Sequence, residues 1–508
     1  MKKVSYISIY VLIVSMLLIG CTTKQVSEVC VILADTGITV NGKEISAFES
    51  DAVYAGADII YYEDGKDELY GEGDKEDAHS KEEADKHTVI TITKPGTYRV
   101  SGSISYGQIV VDLGEDAEDD EAAVVNLILD NVNINCDVAP GIMVLNAYEC
   151  GDDSKKNASQ TVNTTAAGFN LILAKDSENI VNGSYVAKIY KDGTTKEDIE
   201  KDDAKKKYKF DAAIESQVSF NINAEENGKL IVNAENEGIS SALHMTINGG
   251  EIVINSHDDA INTNEDNVSV LTINGGVLTC DSGFGEEGDG IDSNGYITVN
   301  GGCVISCANG RSMDSGIDSD KGIYINGGTL LASGNMYDEI SRDSEQPFMV
   351  FGFQERITED ELVMITDEKD NPIIAFSAAN DYTVAAYSGP DLTEGTYHLY
   401  KVSSVTGDLN GSIYTNITDY KDAEQLTYSS NFVGGFDGGM MPGEMEKPFE
   451  GEMPERPEDV EKFDEEMPKG GRGDRGPAMG AREDMKPATE FVLSKDNYQF
   501  GGISVSLD

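Results

Sequence analysis

Between residues 237 and 334 apolar and polar positions recur with a fixed period. Thr246-Ile247-Asn248-Gly249-Gly250 returns as Thr272-Ile273-Asn274-Gly275-Gly276, as Thr298-Val299-Asn300-Gly301-Gly302 and as Tyr324-Ile325-Asn326-Gly327-Gly328, each copy 26 residues after the last. A short β-branched segment follows each Gly-Gly, at 251–254, 277–280, 303–306 and 329–332. Another precedes each motif, at 238–241, 260–263, 290–293 and 316–319. None carries a helical period. Three short strands and three turns per repeat predict an all-β parallel β-helix. Each strand then stacks on its equivalent one coil on, roughly 4.8 Å away.

Three columns follow from this alignment. Ile239, Ile261, Ile291 and Ile317 form one, Ile247, Ile273, Val299 and Ile325 a second, and Ile252, Leu278, Val304 and Leu330 a third. All three are expected to point inwards and form the core. The Asn-Gly-Gly corner suits a turn that needs positive φ. Its Asn248, Asn274, Asn300 and Asn326 are expected to stack as an amide ladder, a structural role.

Less regular strands are predicted ahead of the repeats, at 88–93, 96–101, 108–113, 124–129, 170–173, 218–222 and 230–232, with a charged insertion at 192–207. After Gly334 the pattern changes. Segments 348–353, 362–365, 372–377, 384–387 and 396–402 read as antiparallel strands, a C-terminal β cap of the kind that ends repeat stacks. The organisation expected is a leader at 1–21, an acidic irregular linker at 22–87, the β-helix at 88–345, the β module at 346–433, a Gly/Met/Pro/Glu-rich disordered insertion at 434–488, and terminal strands at 489–508.

Charge narrows the partners. The 508 residues carry 38 Lys and Arg against 92 Asp and Glu, a net charge of −54. Such a surface excludes general nucleic-acid binding. It also repels itself, which bound divalent cations would relieve. The five histidines, His79, His87, His244, His257 and His398, form no cluster for zinc or a catalytic triad.

Residues 1–21 read as an export signal: Lys2 and Lys3, an apolar run at 6–19, then Leu18-Ile19-Gly20-Cys21, which resembles the lipobox of bacterial lipoproteins. Cys21 is the expected lipidation site, and the protein is expected on the extracellular face of the cell membrane, held by lipid alone. Of the remaining thiols, Cys280 is expected to face inwards, and Cys303 and Cys307 to face outwards, poorly placed to pair. Cys30, Cys136 and Cys150 complete the set, and no dense disulfide framework is implied.

The candidate chemistry lies at one corner of the repeat. Acidic residues crowd it: Glu235 and Glu237, then Asp258 and Asp259, then Glu286, Glu287, Asp289 and Asp292, then Asp314, Asp318 and Asp320, then Asp338 and Glu339. Stacking sets Asp289 and Asp292 beside Asp314 and Asp318, with Asp259 and Asn262 one coil earlier. Carboxylates that close raise one another's pKa or bind a cation. Oxygen ligands without His or Cys suit Ca²⁺. The expected metal ligands are Asp258, Asp259, Glu287, Asp289, Asp292, Asp314, Asp318 and Asp320. Neither an EF-hand loop nor the calcium-binding glycine nonapeptide is present.

The order of several segments carries a resemblance. These are Thr91-Ile92-Thr93-Lys94-Pro95-Gly96-Thr97-Tyr98, Gln108-Ile109-Val110-Val111-Asp112, Leu127-Ile128-Leu129-Asp130-Asn131, Ala213-Ile214-Glu215-Ser216, Glu237-Gly238-Ile239, the Ile-Asn-Gly-Gly series and Gly288-Asp289-Gly290-Ile291. From about residue 88 to 430 the chain resembles a family of secreted bacterial carbohydrate-binding proteins. That resemblance implies a right-handed parallel β-helix, bound calcium, and affinity for polygalacturonate and related acidic sugars. Asp259-Ala260-Ile261 and Ser315-Gly316-Ile317 depart from the Asp-Gly-Ile corner, and Ser315 removes a carboxylate.

The expected function is non-catalytic binding of an acidic polysaccharide at the cell surface, with calcium as cofactor. Two alternatives stand beside it. One is a calcium-dependent pectate lyase, which needs an Arg or Lys to abstract a proton beside the sugar carboxylate. Lys229, Arg311, Lys321 and Arg342 are the basic residues of the repeat region, and Arg311 and Lys321 flank the acidic corner. The other is a structural surface protein or adhesin.

Overall fold

The computed structural model describes residues 28–201, 203–341, 343–359, 361–427, 488–493 and 503–506. Cys21, Arg342 and the insertion at 434–487 lie outside them. Among the described residues the protein is all-β apart from two short α-helices, Lys81–Ala84 and Lys196–Glu200, and one 3-10 turn.

The strands of successive repeats pair in parallel, each with its equivalent. His244–Ile247, Val270–Ile273, Tyr296–Val299 and Gly322–Ile325 form one ladder. Glu251–Asn255, Val277–Asp281, Cys303–Cys307 and Thr329–Gly334 form the second. The third is an eight-stranded sheet running Ile291–Ser293, Ile261–Thr263, Glu237–Ser241, Ala212–Ser216, Ile142–Asn146, Gly107–Asp112, Thr88–Ile92 and Val53–Gly56. Only its last pairing is antiparallel.

The aliphatic columns come out in register and extend beyond the regular repeats. Ile90, Ile109, Ile142, Ile214, Ile239, Ile261 and Ile291 are successive partners in one column. They meet the columns of Ile247 and Ile252 in a single buried core. Each such side chain contributes roughly 1.5–3 kcal/mol by leaving water.

The corners form as the sequence dictates. The second glycine of each motif takes positive φ, at 102°, 91°, 84° and 83° for Gly250, Gly276, Gly302 and Gly328. The amide ladder is present and one rung longer than expected: Asn326, Asn300, Asn274 and Asn248 each donate to the previous amide at 2.9–3.0 Å, ending on Asn223.

Two expectations are corrected. The segment 22–87 is not a bare linker in its described part. Val29–Leu33 pairs in parallel with Gly96–Ile104, and Tyr62 is buried in a cluster with Val186 and Phe210 that Tyr70 packs against. Its acidic residues hide strands that are too short to carry a period.

Cys303 and Cys307 do not face solvent; both are buried. Their side chains leave the repeat core as expected. There they meet the C-terminal module, packing with Ile305 and Leu331 against Met349, Phe351, Phe376 and Tyr387. Cys280 is buried in the repeat core.

That module is antiparallel. Tyr382–Ser388 pairs with both Thr329–Gly334 and Phe348–Ile357. Leu362–Asp367, Pro372–Phe376 and Gly395–Val402 form a further sheet. The hairpin Ser404–Asn410 and Ile413–Lys421, unforeseen in the sequence, extends it. Ala488–Leu493 returns to pair with Gly395–Val402.

Candidate metal centre

The third sheet sets its outward residues in columns. Glu215 lies opposite Ser240, Ser240 opposite Asn262, and Asn262 opposite Asp292. Asp318 comes 26 residues later, with its N–H donating to the Ile291 carbonyl at 2.8 Å. Beside this column stand the carboxylates of Glu237, the first residue of its strand, and of Asp259 and Asp289, in the turns that enter the next two strands.

Asp289, Asp292 and Asp318 converge. One carboxylate oxygen from each lies within 4.8 Å of the other two. Backbone donors fix the surrounding groups. Asp289 Oδ1 accepts the Ser315 N–H at 2.6 Å, Asp259 Oδ1 accepts the Asp289 N–H at 2.7 Å, and Asp314 Oδ2 accepts the Gly288 N–H at 2.6 Å. Position 315, where the Asp-Gly-Ile pattern loses its carboxylate, thus supplies a peptide donor instead.

The remaining expected ligands sit around these three. Asp258, Asp259 and Asp314 are half-buried; Glu287 and Asp320 are exposed at the rim.

Burial and crowding act together on these groups. Loss of water, then the Asp318 charge, pushes Asp289 up to about 9 and Asp292 to about 7. Burial, then Glu287, pushes Asp258 to about 6. Burial, then Asp258, holds Asp259 well above the usual carboxylate range, and burial, then Asp320, raises Asp318. A cation among them reverses the sign of this effect. The donor set is all oxygen, and three carboxylates with water completing the shell suit a hard ion of the calcium type.

Two of the basic residues of the repeat region have partners other than these carboxylates. Lys229 pairs with Glu251 at 3.1 Å, and Arg311 donates to the Gly285 carbonyl at 3.3 Å. Lys321 is exposed.

Three further carboxylates, outside the expected ligand set, are coupled electrostatically to this group. Asp338 accepts the Ser319 N–H at 3.0 Å and is pushed up to about 7 by burial, then Asp318. Glu215 and Glu237 lie deeper, 1% and 7% exposed. Asn262 Nδ2 donates to Glu237 Oε1 at 3.0 Å. Glu215 Oε2, Glu237 Oε2 and Asn262 Oδ1 are buried without a hydrogen-bond partner among the described residues. Burial, then Asp211, pushes Glu237 to about 8; burial, then Glu237, pushes Glu215 well above its ordinary range. Glu237 and Asp338 stand in the acidic corner read from the sequence; the signal for Glu215 was the Ile214–Ile239–Ile261–Ile291 column. Its steps of 25, 22 and 30 residues conceal it from a 26-residue period.

Comparison with known proteins adds the family. A solved structure, "Structure of the polysaccharide lyase-like protein from C. thermocellum, Gadolinium derivative", is similar at 17% identity over 59% of this chain and 93% of that chain, with a TM-score of 0.32. No curated protein matches the chain. The sequence model of a family described as carbohydrate-binding domain-containing protein matches residues 86–168 and 155–361, which together hold all three parallel ladders of the regular repeats. That is more than half of the chain, which therefore belongs to the carbohydrate-binding domain-containing family.

Proposed function

We propose that this protein is a calcium-stabilised, non-catalytic binder of acidic polysaccharide, such as polygalacturonate. Its three parallel ladders wind as a right-handed β-helix, and lipidated Cys21 holds it at the outer face of the cell membrane. Family membership supports carbohydrate binding. The observation that carries the calcium reading is the convergence of Asp289, Asp292 and Asp318 from neighbouring repeats. In a protein of net charge −54, cations seated there lessen the repulsion of a polyanion and bridge its carboxylates.

Calorimetric titration of the mature chain with polygalacturonate, in calcium and then in chelator, tests this. Binding in calcium that disappears in chelator, with no unsaturated sugar product formed, is the expected result. Formation of that product assigns a lyase. Absence of binding in both buffers removes the acidic-glycan reading and leaves a structural surface protein.

A further inference from the structure

On the first ladder, away from the carboxylates, the outward residues build a different surface. Asn126, Asn170, Asn221, Thr246, Thr272, Thr298 and Tyr324 are successive register partners, one per repeat. The amide ladder of Asn223, Asn248, Asn274 and Asn300 runs alongside, two residues further on in each repeat. Residues 160–165 cross above these rungs as a strap. The Thr164 hydroxyl lies 2.7 Å from both Asn221 Oδ1 and Thr246 Oγ1, and Asn221 Nδ2 donates to the Thr164 carbonyl at 2.8 Å. Three rungs away from Asn221, Thr298 Oγ1 donates to the Gln160 carbonyl at 2.6 Å. Between strap and ladder lies a cavity of about 360 Å³.

None of the side chains lining this cavity is charged; hydroxyls and amides dominate. Such groups both donate and accept, as sugar hydroxyls do. Thr272, between the two pinned rungs, lines the cavity and makes no side-chain hydrogen bond among the described residues. One rung past Thr298 the column changes to Tyr324, half-buried and 6.4 Å from Tyr296 in ring separation. A phenol there offers an apolar face for a pyranose ring with a hydroxyl at its edge. The rungs repeat at roughly 4.8 Å, so the groove is suited to a linear chain laid along the stack.

We infer that the groove under residues 160–165 is a glycan subsite for a neutral, hydroxyl-rich linear polysaccharide, with Thr272 and the Asn274 rung as its floor and Tyr324 as its stacking platform. It rests on the carbohydrate-binding reading and adds a second, calcium-independent ligand class. A uronate finds no countercharge in this groove, whereas an uncharged chain brings no repulsion to an acidic protein.

The test titrates the mature chain in chelator with cellohexaose, xylohexaose and mannohexaose, and in calcium with polygalacturonate. At least one neutral hexasaccharide is expected to bind in chelator. Thr272→Val, which keeps shape and removes the hydroxyl, and Tyr324→Ala are each expected to weaken it tenfold or more while polygalacturonate binding and melting temperature stay as in the parent. Polygalacturonate binding with no neutral hexasaccharide bound overturns the subsite alone. Neutral binding that both variants leave unchanged also overturns it. Loss of every glycan interaction overturns the carbohydrate-binding reading as well.

Discussion

Asn262 Nδ2 donates to Glu237 Oε1 across one repeat at 3.0 Å, while Glu237 Oε2 and the Asn262 amide oxygen are buried without a hydrogen-bond partner among the described residues. The pair is held in place yet only half satisfied, and the cost of that falls on the ionised form of Glu237.

A pH dependence follows. Glu237 is raised from 4.5 to about 8, Asp292 from 3.8 to about 7 and Asp289 from 3.8 to about 9. The folded state therefore binds protons more tightly than the unfolded chain does. Their contribution to stability is full below the unfolded values and is lost as pH rises through the folded ones. Scanning calorimetry in chelator should show the melting temperature falling between about pH 5 and about pH 8. A rise over that range would contradict the burial of these carboxyls.

Calcium should act against this trend. Asp289→Asn keeps an oxygen to accept the Ser315 N–H but removes a carboxyl that, without an ion, must take up a proton on folding. In chelator at about pH 8 the variant is expected to melt above the parent by roughly 2 °C or more. In calcium the order should reverse, because the parent gains more from the ion. Equal calcium shifts for the two proteins would remove Asp289 from the ligand set.

The corner glycines should resist substitution. At Gly276, φ is 91° and an added Cβ would stand 2.5 Å from the Gly250 carbonyl oxygen. Gly276→Ala is expected to cost about 1–3 kcal/mol, measured by chemical denaturation. Gly249→Ala, where a Cβ meets nothing within 4 Å, should cost well under half as much.

The returning strand should stabilise the C-terminal module. Phe491 is fully buried, with its ring edge-on to Phe351 at 5.3 Å. Phe491→Ala is expected to cost about 3–5 kcal/mol. It should also raise the reactivity of Cys303 and Cys307 towards a thiol reagent, since the same module covers them. Unchanged labelling would show that the cover does not depend on this strand.

What the chain reveals by reading depends on how regular it is. The Asn-Gly-Gly corners, the Ile247 and Ile252 columns and the amide ladder were legible because one physical demand recurs at one spacing. Asp289, Asp292 and Asp318 were legible for the same reason. Glu215 was not, because loops of unequal length separate it from Asn262 and Asp292, so only the hydrogen-bonded register aligns them. The burial of Cys303 and Cys307 was not legible either. It comes from a module encoded later in the chain, and nothing at 303–307 reports that arrival. The groove beneath residues 160–165 needed the same kind of information, since a polar loop carries no period to show which rungs it crosses.

Strand direction at the two ends of the stack limits how copies of this chain can meet. Val29–Leu33 is bordered by Thr39–Val40 running the opposite way, and Thr329–Gly334 by Tyr382–Ser388, also reversed. A second molecule approaching the Thr39–Val40 edge or the Tyr382–Ser388 edge meets a backbone of the wrong polarity for continuing the parallel register of that ladder. Fibre growth, the standing hazard of any stack built from near-identical rungs, is thereby blocked along those two edges.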